Sequence, residues 1–355
     1  GEISVYQTDN IIISMFEGIK TVGLVSNYIL IISSVKGFVD IIFNSAIPSF
    51  GNLMANSEDE RKYELFRCYK FLGFWVYGFC SIAFLILASP FVTLWVGSNR
   101  TLDQLTIFLL IADFYLVGQR ICMNNVKVAG GVFWQDRYVA FLQAIVNLVV
   151  SVVMINKIGL PGVYVGTIVQ GLISTIIKPI IVYKDLFKVS PFLYFKQGLG
   201  NLIVVVAAYI VSLFICNTWL MENTILNFVL RMLIVVIVPN LIFVGAYFRT
   251  KEFAYLKNND FKDSKKEVIR LEKENPLVSI ITPCYNGENV MHRLLDSILS
   301  QTYSNIEFIL INDGSTDHSE EIWYQYEKKF NEKGIKNHLI FIREIKDWER
   351  QLMPD

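Results

Sequence analysis

Along the first 248 residues, apolar positions run in long unbroken blocks rather than alternating with polar ones. A bilayer core needs about 20 apolar residues at about 1.5 Å rise each, and several blocks reach that length. The clearest is Gly73 to Gly97, which holds no charged residue. Others run from Leu105 through Gln119 to Val126, from Tyr138 to Asn156, from Ile158 to Ile177, from Gly198 to Met221 and from Thr224 to Phe248. Val22 to Ile47 is an earlier block, with Lys36 and Asp40 one helical turn apart, and Ser4 to Phe16 is a shorter piece. The pattern predicts seven full membrane spans and the end of an eighth. Pro48 to Gly51, Gly130 to Gly131 and Gly159 to Gly162 interrupt the blocks and predict turns or kinks.

After Phe248 the pattern changes. Thr250 to Asn275 is rich in Lys, Glu and Asp and reads as a charged linker. Leu277 to Pro283 predicts a short strand. His292 to Gln301 is amphipathic at helical spacing, Ile306 to Ile311 predicts a second strand, and Leu339 to Ile342 predicts a third. Between them, Asn312-Asp313-Gly314-Ser315-Thr316-Asp317 is a polar loop suited to capping the helix that follows. Strand, helix, strand, helix, strand is the opening of a parallel α/β sheet, in which ligands sit at the carboxyl ends of strands.

Composition sharpens this division. The chain has 355 residues, is 53% hydrophobic and 18% charged, and has a mean hydropathy of +0.44, too apolar for a water-soluble domain of that size. Its formal net charge of zero hides an asymmetry, with 29 charged residues in the first 248 positions and 35 in the last 107. No basic cluster with interleaved aromatics supports a nucleic-acid partner. Cys68, Cys80, Cys122, Cys216 and Cys284 lack metal-ligand or disulfide-framework spacing and read as buried thiols. The chain begins at Gly1 with no signal-peptide pattern, and its start is expected to be a fragment edge.

Basic residues collect in alternate loops: Arg61, Lys62, Arg67 and Lys70; Lys127 and Arg137; Lys184, Lys188 and Lys196; Arg249 and Lys251. The intervening loops hold only Lys20, Arg100 and Lys157. The positive-inside rule predicts that the first set, and everything after Phe248, is cytoplasmic. Polar groups within spans are costly and mark candidate cavity positions: Asp9, Asn27, Asp113, Gln119, Arg120 and Asn124. Lys36 and Asp40 could simply pair, and Lys178 and Arg231 could snorkel to the interface. Arg120, beside Gln119, Asn124 and Asn125, is the position best suited to meeting an anionic substrate.

Three groups of segments in the apolar part resemble the second lobe of bacterial polysaccharide flippases, the translocases of capsule and O-antigen repeat units. They are Thr8 to Ser14 with Val22-Gly23 and Ser26-Asn27-Tyr28; Ile47 to Leu53; and, in order, Gly131 to Tyr138, Asn147 to Ser151 and Gly159 to Thr167. The resemblance covers about residues 1–256. It implies an α-helical polytopic bundle that is the second half of a two-lobed transporter, including two extra C-terminal helices. It also implies a lipid-linked oligosaccharide as cargo, cationic cavity residues meeting its phosphates, and a separate first lobe as partner.

The tail closely resembles the N-terminal third of family 2 glycosyltransferases in Val278 to Glu288, Asp296 to Thr302 and Glu307 to Asp317. This implies a truncated GT-A-like α/β domain over residues 276–355 and a nucleotide-sugar ligand, expected to be a UDP-sugar. By that resemblance Pro283, Tyr285, Asn286 and Glu288 line the nucleotide pocket, with Tyr285 packing on uracil and Asp313 accepting from base or ribose. The family's metal-binding D-x-D, catalytic base and acceptor segment are expected beyond the part represented. Asp347 is followed two positions on by Glu349, but the segment lacks the strand character that the motif requires, so neither a catalytic base nor a metal ligand is assigned. An intact transferase would need a divalent metal such as Mg or Mn; this chain is expected to hold no cofactor itself. One base inserted after the Glu344 codon turns a back-translation of Ile345 to Asp355 into a run resembling the family's next segment, so a one-base deletion is expected in the gene.

Three readings therefore stand: a partial flippase of the bacterial cytoplasmic membrane with a fused transferase fragment, a membrane-anchored family 2 glycosyltransferase, or a nonfunctional product of joined neighbouring genes.

Overall fold

A computed structural model describes residues 2–257, apart from 133, 221 and 223, and residues 277–341. The chain divides into two compact units, 1–258 and 259–355.

The first unit is helical: α1 (Glu2–Phe16), α2 (Ile19–Asn44), α3 (Ile47–Asn56), α4 (Asp59–Val96), α5 (Gln104–Ala129), α6 (Val139–Ile158), α7 (Pro161–Ile181), α8 (Phe192–Trp219), α9 (Ile225–Tyr247) and α10 (Lys251–Lys257). Seven stretches are long and apolar enough to cross a membrane, which makes this a multi-pass membrane protein. Their boundaries follow local chemistry. Asp59 and Glu60 supply negative charge to the first turn of α4, and its end is Gly97 at φ +97°. The Asp103 carboxylate accepts from the Thr106 N–H at 2.9 Å to cap α5. Pro161 begins α7 in its first turn, where its missing N–H costs nothing.

The expected breaks are present. The Val22 to Ile47 block divides between α2 and α3 just before Pro48, Gly130 caps α5, and Gly159 at φ +68° separates α6 from α7. The Ile158 to Ile177 block begins later and runs further than expected. Pro161 sets its start, and a π-helical turn, Val182–Leu186, prolongs α7 past Pro179.

Helix α5 is the centre of the unit, with 67% of its most apolar window buried, while the same measure is 17% for α6 and for α9. It packs between α4 and α7, and α6 pairs along α7. The α6–α7 approach is set by small residues: a Cβ on Gly162 would lie 2.3 Å from the Met154 carbonyl carbon, and one on Gly166 would lie 2.0 Å from Ser151 Oγ. Close backbone approach through small residues is how helices associate where lipid supplies no hydrophobic drive. Helices α8 and α9 pair with each other and with α4 through a second core that includes Phe71, Phe74, Val205, Val235 and Phe243. Outward positions such as Phe141, Ile203, Phe214 and Leu241 are exposed, as lipid-facing residues should be.

The second unit contains β1 (Val278–Cys284), α11 (Glu288–Leu299), β2 (Ile306–Asn312), α12 (Ser319–Glu332) and β3 (Lys336–Phe341). All pairings are parallel in the order β1-β2-β3, with Cys284 opposite Asn312 and Asn312 opposite Phe341. Strand β2 alternates buried and half-buried positions: Ile306, Phe308 and Leu310 face the helices. There Phe308 stacks on Phe330 and packs at a tilt against Trp323, all at most 1% exposed, and each contributes about 1.5–3 kcal/mol by burial. Strand β3 begins three residues before the expected Leu339, because Gly334 at φ +74° ends the turn after α12 early. The core of this unit comprises eleven buried side chains. The expected linker is described only as far as Lys257, within α10. The segment containing Asp347 and the proposed frame change lies outside the described residues.

Candidate functional site

Because β1 and β2 are parallel and in register, the loops that follow them leave the same edge of the sheet. The Asp313 N–H donates to the Cys284 carbonyl at 2.9 Å and extends the ladder by one residue. Beyond that point the two loops are joined by a set of hydrogen bonds. Ser315 Oγ accepts from the Asn286 N–H at 3.0 Å, Ser319 Oγ from the Gly287 N–H at 2.9 Å, and Asp317 Oδ2 from the Glu288 N–H at 3.0 Å. In return, Asn286 Oδ1 accepts from the Thr316 N–H at 2.8 Å and Glu288 Oε2 from the His318 N–H at 3.1 Å. The buried Asn312 side chain accepts from the Ser315 N–H at 2.8 Å, which folds the second loop back over the end of β2. Asn286 at φ +50° and Gly314 at φ +78° supply the left-handed turns that this crossing needs.

Loop capture of these three N–H groups matters for chemistry. The opening of α11 resembles the helix N-termini that bind phosphate, and here the N–H groups of Asn286, Gly287 and Glu288 at its approach are taken by Ser315, Ser319 and Asp317. The side chains on the outer face of the edge remain open to a ligand. Pro283 and Asp313 are exposed, and Tyr285 presents its ring to solvent at 66% exposure. A tyrosine ring offers a stacking surface for a base, and a carboxylate accepts from base N–H or ribose hydroxyl groups.

The five residues expected at a nucleotide pocket thus fall into two groups. Pro283, Tyr285 and Asp313 point their chemistry outward, while Asn286 and Glu288 spend their side chains holding the second loop. Ser315 and Asp317, within the loop expected to cap the following helix, fix its path together with His318 and Ser319, and these last two were missed by sequence reasoning. Asp317 stands one position before the helix N-cap, His318, and its Oδ1 accepts from the Ser319 N–H at 3.0 Å. The Asp-x-Ser spacing was the available signal.

Electrostatics here are local. Hydrogen bonds from the His318 side chain and backbone hold the Glu288 carboxyl below its ordinary range. The Glu288 side chain, then the negative charge of Glu321, raises the His318 imidazole. For Asp317, partial desolvation pushes upward but is outweighed by hydrogen bonds from the Ser319 hydroxyl and from the Glu288 and Ser319 N–H groups, so its carboxyl is lowered. Among the described residues no three His, Cys, Asp or Glu side chains gather as metal ligands. The described residues therefore do not by themselves fit a divalent metal site, and no step is assigned to one.

The polar residues of the helical unit are distributed over several separate contacts. Asp9, 2% exposed, accepts from Thr167 Oγ1 at 2.9 Å, with Asn147 donating to the same hydroxyl at 3.3 Å. Arg120, 6% exposed, donates to the Gly171 carbonyl and to Thr175 Oγ1, and Asp113 also lies near Gly171. Asn124 accepts from Lys178 Nζ at 2.8 Å. Asn27 and Gln119 are half-buried. Lys36 and Asp40 do pair, at 2.6 Å, and Asp40 also accepts from Tyr77. Arg231 reaches the Leu220 carbonyl. A cavity of about 380 Å³ lies at the foot of α4, lined by residues that include Glu58, Arg61, Arg67 and Glu252; none of the six expected cavity residues lines it.

With this geometry in view, comparison with known proteins is informative for the second unit. Residues 279–345 match glycosyl transferase family 2. An uncharacterized glycosyltransferase of Rickettsia prowazekii is 56% identical over 55 residues, 16% of this chain and 17% of that protein. Glycosyltransferase GlyA of Streptococcus pneumoniae is 51% identical over 49 residues, 14% of this chain and 7% of its own length. An uncharacterized glycosyltransferase EpsJ of Bacillus subtilis is 54% identical over 54 residues, 15% of this chain and 16% of that protein. The aligned part is thus less than a fifth of each of these relatives. No solved structure matches the chain at a significant level. The class defined by fold and comparison is a multi-pass membrane protein carrying a segment of the family 2 glycosyltransferase type.

Proposed function

We propose that the chain is a membrane-anchored family 2 glycosyltransferase whose second unit binds the nucleotide part of a sugar donor, with UDP-sugars as the favoured class. The observation that carries this reading is the joint exposure of Tyr285 and Asp313 at the carboxyl edge of the parallel sheet, inside the segment that matches the family. Tyr285 would pack against uracil, Asp313 would accept from the base or ribose, and Asn286 and Glu288 would act indirectly by fixing the loop that carries Asp313. A divalent metal such as Mg or Mn belongs to the donor chemistry of the complete reaction. The helical unit would hold the site at the bilayer surface, where a lipid-linked acceptor resides, and the basic loops favour the cytoplasmic face.

The test is binding of UDP to the full chain in lipid nanodiscs, followed by calorimetry with and without Mg. Asp313→Asn should weaken binding about tenfold or more, the scale of one charge-assisted hydrogen bond. Equal UDP affinity in Asp313→Asn and the unsubstituted protein would remove Asp313 from the site.

A second reading is favoured by the buried polar groups Asp9, Asp113 and Arg120 within membrane-length helices: movement of a lipid-linked oligosaccharide by the helical unit together with a separate first lobe. Reconstitution with such a lobe and a fluorescent lipid-linked sugar tests it. No accessibility change of the sugar across the bilayer would reject it.

A further inference from the structure

The connection between α5 and α6 carries an arrangement that neither reading uses. The Arg137 guanidinium lies 3.4 Å from the centre of the Trp134 ring and 4.6 Å from that of Tyr138. Both rings are turned outward, Trp134 at 74% and Tyr138 at 70% exposure. The nearest carboxylate in sequence, Asp136, is not available to Arg137, because it pairs with Lys127 in a contact that leaves the two side chains 9% and 12% exposed. Among the described residues, nothing accepts a hydrogen bond from Arg137 and no carboxylate pairs with it. The connection therefore presents one exposed positive charge that lies over two aromatic rings and has no carboxylate paired with it among the described residues.

Its position says what meets those edges. Phe141, Leu142, Ile145, Leu148 and Val149 continue along α6 from Tyr138, and all are at least 45% exposed. That face is apolar over a helix of membrane-crossing length, so it lies against lipid, and the Trp134–Arg137–Tyr138 group lies where hydrocarbon gives way to headgroups. Trp and Tyr favour that depth. A guanidinium offers paired donors to a planar or tetrahedral oxyanion.

We propose that Trp134, Arg137 and Tyr138 form a binding site for the phosphodiester of an anionic phospholipid. The inference rests on the membrane reading of the helical unit and is independent of the transferase reading. The ring faces sit against the glycerol and upper acyl region, and the guanidinium donates to two phosphate oxygens. A headgroup without its own ammonium is preferred, because in a zwitterionic lipid that ammonium competes for the same phosphate. The buried Lys127–Asp136 pair holds the connection in place, so little ordering is needed on binding.

The experiment is native mass spectrometry of the full chain in detergent, titrated with phosphatidylglycerol or with phosphatidylcholine of the same acyl chains. The expected result is one tightly retained phosphatidylglycerol that Arg137→Gln weakens about tenfold, that Arg137→Lys weakens less, and that Trp134→Leu also weakens. Lys157→Gln, which removes a charge at the opposite end of α6, should leave retention unchanged. Equal retention by Arg137→Gln and the unsubstituted protein overturns the proposal. So does equal retention of phosphatidylcholine, and so does displacement by millimolar inorganic phosphate, which would mark a site for free anions instead. All three substituted side chains are exposed, and an unchanged melting temperature confirms that each variant folds.

Discussion

One carboxylate oxygen of Glu288 lies 3.1 Å from the backbone nitrogen of His318 and 2.9 Å from its ring Nδ1. This pair ties the start of α11 to the start of α12, so the geometry of the loop that bears Asp313 is set by an interaction on its far side.

The pair should therefore give the second unit a pH window. Glu288 is lowered from an ordinary value of 4.5, so its contribution is present above that value and is lost as pH falls through the lower, folded one. His318 is raised from 6.5, so its contribution is full below that value and is lost as pH rises through the higher, folded one. Both act together between about pH 4.5 and 6.5. Proton NMR titration of His318 in Glu288→Gln should show its pKa moving down towards 6.5; an unmoved titration would mean that the contact is absent in solution.

Gly287→Ala should destabilise the loop crossing. A Cβ there meets Cys284 Sγ at 2.9 Å, and overpacking of this kind costs about 1–3 kcal/mol. Ser319→Ala should cost a similar amount, about 1–3 kcal/mol, because Ser319 is 2% exposed and its removal leaves the Gly287 N–H without an acceptor. Amide exchange at Gly287 reads both variants, and protection equal to that of the unsubstituted protein would refute the account.

Gly162→Ala should disrupt the α6–α7 pair, since the new Cβ meets backbone atoms of Met154 and Ile155 that cannot swing aside. Gly200→Ala is the control: nothing lies within 4 Å of that position. Thermal aggregation in detergent should fall by several degrees for the first and not for the second. A melting temperature unchanged in Gly162→Ala would show that the helices sit further apart.

Tyr285→Trp should retain nucleotide affinity and Tyr285→Ala should lose about tenfold, as base–aromatic stacking is worth about 1–3 kcal/mol. Intrinsic fluorescence of the tryptophan variant should quench on adding UDP. Parallel losses in both variants would assign the effect to the hydroxyl rather than the ring.

The membrane helices were legible because hydrocarbon imposes one requirement, length without charge, that a single sequence displays openly. The strands and the two loops of the second unit were legible for a different reason: Pro283, Tyr285 and Asp313 stand at the ends of short apolar runs. What the sequence did not disclose was how the loops lock. Asn286 and Glu288 were expected at the ligand through the family resemblance alone, and the partners their side chains hold, Thr316 and His318, are 30 residues away. No periodicity encodes that pairing. The destination of Arg120 was hidden for the same reason, since its acceptor is the backbone carbonyl of Gly171, 51 residues on.

Helix α4 spans 38 residues, about 57 Å at 1.5 Å per residue, against a hydrocarbon core of about 30 Å. Its charges all lie between Asp59 and Lys70, and Phe71 to Val96 has none. The charged foot cannot be drawn into lipid and Arg100, just past Gly97, resists movement the other way, so α4 works as a depth gauge for the helices packed on it. A thinner bilayer must then be met by tilt or by local stretching of the lipid and not by sliding. Membrane thickness becomes a variable to which this protein answers by leaning.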